Sequence, residues 1–198
     1  MSAEPSAPPA SAAPLPSEAG AAFAARAATV STDVRAVATA DVPALVIALL
    51  RDAGAHSVAL ESPVAAAFPT LGDTLRGVGL ALVAADAPPA VLAEAAAGLS
   101  LAAFGIVETG SVAIASPALG DRLTGMLPTE HIVLLRASDL VADLDAAAAR
   151  LRAWATGDPP RPYVSFITGP SRTADIERVL TIGVQGPCAL HVVLVSDA

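Results

Sequence analysis

Residues 168–177 read Thr168-Gly169-Pro170-Ser171-Arg172-Thr173-Ala174-Asp175-Ile176-Glu177. This stretch sets a glycine, hydroxyls and an arginine between an apolar run and a helical pattern. In an open α/β sheet, ligands bind at the carboxyl ends of the strands. Free amides at a helix start, the Ser171 and Thr173 hydroxyls and the Arg172 guanidinium could together hold a carboxylate or phosphate. The simpler alternative is that Ser171 or Thr173 caps the helix while Asp175 and Glu177 complement its dipole. A second stretch, Gly183-Val184-Gln185-Gly186-Pro187, combines two glycines that permit close backbone approach with an amide able to donate and accept. It also reads as plain turn chemistry.

The third candidate is Glu108-Thr109-Gly110-Ser111, which sets a carboxylate inside an otherwise apolar run. Burial without a positive partner would raise the pKa of Glu108, as suits a general acid/base or a carboxylate nucleophile. A tight turn would instead leave it solvated. His131 follows the loop Met126-Leu127-Pro128-Thr129-Glu130, and its simplest reading is an ordinary residue entering a strand. His56, His131 and His191 show no H-x-x-x-H or H-E-x-x-H spacing, so no metal site is expected. No G-x-G-x-x-G follows a strand, so a dinucleotide is not the expected cofactor.

Those residues need a scaffold, and composition bounds it. The chain has 198 residues, 54% hydrophobic but only 3% aromatic, which suits one domain of modest core. Forty-eight are alanine, so Val, Leu and Ile must build that core. All 11 basic residues are arginine. The lack of lysine excludes Schiff-base chemistry, lysine-bound pyridoxal phosphate and a Walker A lysine within this chain. A net charge of −8 with scattered arginines argues against nucleic acid. The single cysteine, Cys188, allows no internal disulfide and cannot supply the four thiolates of an iron–sulfur cluster. Any redox centre is therefore expected on a partner. No apolar run approaches the roughly 20 residues of a membrane span. The first cationic side chain is Arg26, so the start lacks a signal-peptide basic region and the expected location is cytoplasmic.

Residues 1–20 are Pro, Ala and Ser with little to bury, and read as a disordered tail. Residues 21–198 read as one α/β domain. A short helix is expected over Ala21–Ala28, then a helix behind Asp41 carrying Val42, Leu45, Val46, Leu49 and Leu50 and closed by Gly54. His56–Leu60 reads as a strand and Gly79–Ala84 as a short buried one. Pro88–Ala97 reads as a helix stopped by Gly98, and Leu101–Ser116 as two β runs about Glu108-Thr109-Gly110. His131–Arg136 is a further strand. Leu140, Leu144, Ala147, Leu151 and Trp154 form one helical stripe. Tyr163–Thr168 reads as a strand, the Gly169–Thr173 stretch as a turn, Ala174–Ile182 as a helix, and Leu190–Val195 as the strand that closes the sheet. This alternation implies a three-layer, Rossmann-like fold with a mostly parallel sheet covered on both faces.

Four segments together, Gly105-Ile-Val-Glu108-Thr109-Gly110-Ser111, Leu127-Pro-Thr-Glu-His131-Ile, Ile167 through Glu177, and Gly183-Val-Gln-Gly-Pro187, resemble the lactate utilisation protein C family, a LUD-type domain. Their order and spacing match over most of the chain after the tail. That family usually has His where this chain has Gln185, and Gln cannot titrate near neutrality. The resemblance implies a fold similar to the sugar-phosphate isomerase, coenzyme A transferase and formyltetrahydrofolate cyclo-ligase group. It also implies a cytoplasmic bacterial protein that works with iron–sulfur partners in oxidising L-lactate to pyruvate. Two functions follow as expectations. One is an accessory subunit that binds a small anionic ligand through Gly169, Pro170, Ser171, Arg172, Thr173 and Asp175, with Thr109, Gly110, Ser111, Gln185 and Gly186 contributing, and that docks an iron–sulfur oxidoreductase. It holds no cofactor of its own. The other is a stand-alone enzyme of acyl, coenzyme A transfer or phosphate-ester chemistry with Glu108 as nucleophile or base.

Overall fold

The computed structural model describes residues 17–116, 118–157, 163–173 and 181–196. In chain order its strands are β1 (Thr32–Ala38), β2 (Ser57–Leu60), β3 (Ala81–Ala84), β4 (Ala97–Leu101), β5 (Phe104–Ile106) and β6 (Ser111–Ile114). There follow β7 (Glu130–Arg136), β8 (Leu140–Val141), β9 (Ser165–Ile167), β10 (Arg172–Thr173), β11 (Thr181–Ile182) and β12 (Ala189–Ser196). The helices are α1 (Glu18–Ala28), α2 (Val42–Asp52), α3 (Ser62–Ala67), α4 (Leu71–Gly77), α5 (Pro89–Ala93), α6 (Leu119–Thr124) and α7 (Leu144–Ala155).

Six parallel strands form the central sheet in the order β1-β12-β7-β4-β2-β3. Alternation along each strand sends neighbouring side chains to opposite faces. Ile132 and Leu134 of β7 therefore join the core against α2 and α4, while Val133 and Leu135 face α1 and β6. A second sheet, β8-β5-β6-β9, lies on that latter side, with β5 and β6 paired antiparallel. Helix α7 covers its outer face, where Phe104 meets Trp154 with ring centroids 5.5 Å apart. Helices α2 and α4, the parallel sheet, and α1 with the second sheet make the three layers expected from the βα alternation.

Several local expectations shift. Helix α1 begins at Glu18, inside the expected tail, because the Ser17 hydroxyl accepts the Gly20 amide at 3.1 Å and Glu18 complements the first turn. Helix α5 ends at Ala93, and Gly98, expected as a helix stop, lies within β4. Glycine is required there by contact: a Cβ would stand 1.9 Å from the Thr124 carbonyl oxygen of α6. Strand β3 is a half-exposed edge rather than a buried strand. Leu140 belongs to β8 instead of the following helix, which starts after Asp143, whose carboxylate accepts the Ala146 amide at 2.8 Å. Strand β12 is central rather than terminal, between β1 and β7. Arg172–Thr173 pair antiparallel with Thr181–Ile182, so the expected helix does not reach 182; its other residues, 174–180, lie outside the described residues.

Candidate anion-binding cavity

The two glycine-containing loops meet at Ser171. Its amide donates to the Pro187 carbonyl at 2.9 Å, its carbonyl accepts the Gly183 amide at 2.9 Å, and its hydroxyl accepts the Gln185 amide at 3.2 Å. The β10–β11 ladder continues this stitching outward. Gly169 turns the chain at φ +84°, and a Cβ there would stand 2.2 Å from the Val30 carbonyl oxygen, so no other residue fits without displacing the entry to β1.

These loops form one wall of a cavity of about 430 Å³ between the two sheets. Gly169, Pro170, Ser171 and Arg172 line it together with Gln185 and Gly186. The central sheet contributes Ser100, His131 and Leu190, all on the face that looks toward the second sheet. That sheet contributes Ile114 and Phe166, with Ser116 just beyond β6. Helix α6 closes the end with Asp121 and Arg122.

The arginines give the cavity its positive groups. Arg172 is exposed at its rim, with no ion pair among the described residues. The Arg122 guanidinium lies 4.3 Å from the Tyr163 ring centroid, and its Nε is buried with no hydrogen-bond partner among the described residues. A buried donor with no acceptor carries its full desolvation cost.

Beneath the wall sits a polar seam of which sequence reading singled out only His131. Glu61, immediately after β2, is wholly buried; its carboxylate accepts the Leu101 amide at 2.8 Å and the Ser116 hydroxyl at 2.5 Å. Burial pushes its pKa up to about 7; the Ser116 and Leu101 hydrogen bonds pull against that shift, while the nearby Asp121 charge adds to it. Asp121 itself accepts the Ser62 amide at 2.8 Å. His131 is buried with its Nε2 3.0 Å from the Ser100 hydroxyl, and burial lowers its pKa to about 4, so its imidazole is neutral at neutral pH. An acid following an apolar strand, and a serine within Ala97–Leu101, were the available signals for this seam.

The remaining expected residues lie elsewhere. Glu108 sits exposed on the β5–β6 turn, where it accepts the Leu144 amide at 3.0 Å and is absent from the cavity lining. The solvated alternative therefore holds for this carboxylate. Thr109 and Ser111 bond through their hydroxyls at 2.7 Å, and Ser111 bonds in turn to Thr168, at the cavity edge, at 2.7 Å. Gly110, at φ +67°, packs where a Cβ would lie 2.5 Å from the Ala27 nitrogen of α1. Thr173 lies in β10, and Asp175 lies outside the described residues. Among the described residues no cluster of three or more His, Cys, Asp or Glu could hold a metal ion, and no helix is long and apolar enough to cross a membrane.

Residues 89–195 match the family model described as the LUD domain. A protein named lactate utilization protein C from Shouchella clausii is 35% identical over 101 residues, covering 50% of this chain and 44% of that relative. The protein of the same name from Bacillus subtilis is 33% identical over 105 residues, covering 52% of this chain and 44% of its own. The matched part of this chain thus spans less than half the length of those relatives. The crystal structure of a DUF162 family protein from Deinococcus radiodurans superposes with a TM-score of 0.64 at 22% identity, covering 90% of this chain and 96% of that one, a likeness of fold.

Proposed function

The chain belongs to the LUD domain family, and we propose that it serves lactate utilisation as an accessory component of an iron–sulfur L-lactate oxidation system. In this reading it holds a small organic anion in the cavity between its sheets, and electrons leaving lactate pass to clusters on partner proteins. The name carried by the Shouchella and Bacillus relatives supports the lactate assignment. The observation that carries the binding role is the junction at Ser171, where two loops fourteen residues apart close one wall of a cavity that also presents Arg122 and Arg172. The single cysteine supports the division of labour, since this chain cannot supply a cluster's four thiolates.

Lactate oxidation reconstituted with iron–sulfur partner proteins, with and without the purified chain, tests this reading. The expected result is a rate that requires the chain and falls when it carries Arg172→Ala. A full rate without the chain would overturn the accessory role. Turnover of an acyl-coenzyme A or phosphate ester by the chain alone would do the same.

A further inference from the structure

Arg122 lines the cavity with no ion pair among the described residues. Its face is spent on Tyr163, 4.3 Å away, while a guanidinium so stacked keeps its in-plane N–H groups for an acceptor. The Nε is sealed from solvent and has none among the described residues, so the terminal N–H groups are the ones left to meet a cavity ligand. The neighbouring acids form no ion pair with it among the described residues: the Asp121 Oδ1 takes the Ser62 amide, and the two oxygens of Glu61 take Leu101 and Ser116. Arg172, on the loop side of the same cavity, has no ion pair among the described residues either.

The volume between these arginines also says something about the occupant. About 430 Å³ lies within the roughly 300–1,000 Å³ range of pockets that enclose drug-sized ligands, and a three-carbon monoacid would leave most of it empty. Ile114, Phe166 and Leu190 supply apolar wall. The Asp121 carboxylate faces the same space and opposes any anion, and the two arginines outweigh it by one charge.

We propose that the cavity takes an organic dianion, one anionic group on the Ser171–Arg172 loop and the other on Arg122, with an apolar spacer between them. The proposal rests on the anion-binding reading above and names the ligand class. Each anionic group is a carboxylate or a phosphate, chemistry that a planar guanidinium fork meets with paired hydrogen bonds.

Isothermal titration calorimetry with acetate, succinate, glutarate, adipate and 2-phosphoglycolate tests it on the wild type, Arg122→Ala, Arg122→Lys and Arg172→Ala. The expected result is at least one dianion binding ten times more tightly than acetate, with the advantage shrinking to less than threefold in Arg122→Ala. Phosphoglycolate carries up to about one negative charge more than a dicarboxylate at neutral pH, so a tighter phosphoglycolate shows that one end takes phosphate, while dicarboxylates at least as tight assign both ends to carboxylate. Arg122→Lys keeps the charge and the stem, so an intermediate affinity and an unchanged thermal melt show that the loss in Arg122→Ala is one of recognition. Dianions no tighter than acetate, or a dianion affinity untouched by Arg122→Ala while Arg172→Ala abolishes it, overturn the dianion proposal and leave the anion reading standing. No binding of any probe to the wild type overturns both.

Discussion

The Ser171 hydroxyl accepts the Gln185 backbone amide at 3.2 Å. That contact ties the loop carrying Arg172 to the loop before β12, and both loops line the cavity. Ser171→Ala removes the side-chain acceptor and leaves the two backbone bonds to Pro187 and Gly183 in place. The expected cost is about 1 kcal/mol of stability, the net worth of one hydrogen bond. A looser wall should also weaken anion binding severalfold, and thermal melts with calorimetry on the same variant check both. Unchanged values would mean that the backbone bonds alone hold the junction.

A second prediction concerns pH. Glu61 keeps a proton in the folded protein up to about 7, whereas the ordinary value is 4.5. The folded state therefore holds a proton that the unfolded chain has released, and this group's contribution to stability is lost as pH rises from about 4.5 through about 7. His131 works the other way: burial lowers it from 6.5 to about 4, so stability is lost as pH falls through that interval. Each shift corresponds to about 3 kcal/mol, and the slopes oppose one another over the shared window. Glu61→Gln leaves only the histidine slope. Its stability should gain on the wild type as pH rises, by up to about 3 kcal/mol, as read by urea denaturation at about pH 5 and about pH 8. A pH-independent difference would show that Glu61 does not titrate in this window.

Gly98→Ala probes the support behind the cavity. The added Cβ would meet the Thr124 carbonyl oxygen at 1.9 Å, and backbone on both sides leaves little to give. Overpacking of this kind costs typically about 1–3 kcal/mol. The melting temperature should drop, and because α6 carries Arg122 and Asp121, dianion affinity should drop with it. A variant as stable as the wild type would mean that β4 and α6 separate freely.

Glu108→Gln separates the accessory and enzyme readings. Glu108 is exposed and accepts the amide that opens α7, so its replacement should cost at most about 0.5–1 kcal/mol of stability and leave anion affinity unchanged. Loss of a turnover measured with the purified chain alone would instead give Glu108 a chemical role.

The fold was legible where local pattern and tertiary demand agreed. Val42, Leu45, Val46, Leu49 and Leu50 lie on one helical face and are all buried, and the apolar runs of β7 and β12 are central strands covered on both faces. It was illegible where contact overrode local signals. Gly98 looks like a helix stop because alanines precede it, yet its role is set by a carbonyl oxygen of α6, 26 positions later at Thr124. The site divides the same way. The loops at Ser171 and Gln185 announced themselves by glycine and polar content, and the structure joins them. Arg122, Glu61 and Ser100 carry no local motif; they matter because α6, β2 and β4 bring them to one cavity from distant positions. Glu108 looked chemical for its apolar neighbours, but a hairpin turn places it in solvent.

Anion binding by the Ser171–Arg172 loop is read from the calorimetric affinity of wild type and Arg172→Ala for the best-binding probe among the dicarboxylates and phosphoglycolate. Loss of a charge-assisted hydrogen bond predicts a weakening of about 1.5–3 kcal/mol, roughly tenfold to 150-fold. Equal affinity in the two proteins would mean that this loop does not hold the anion.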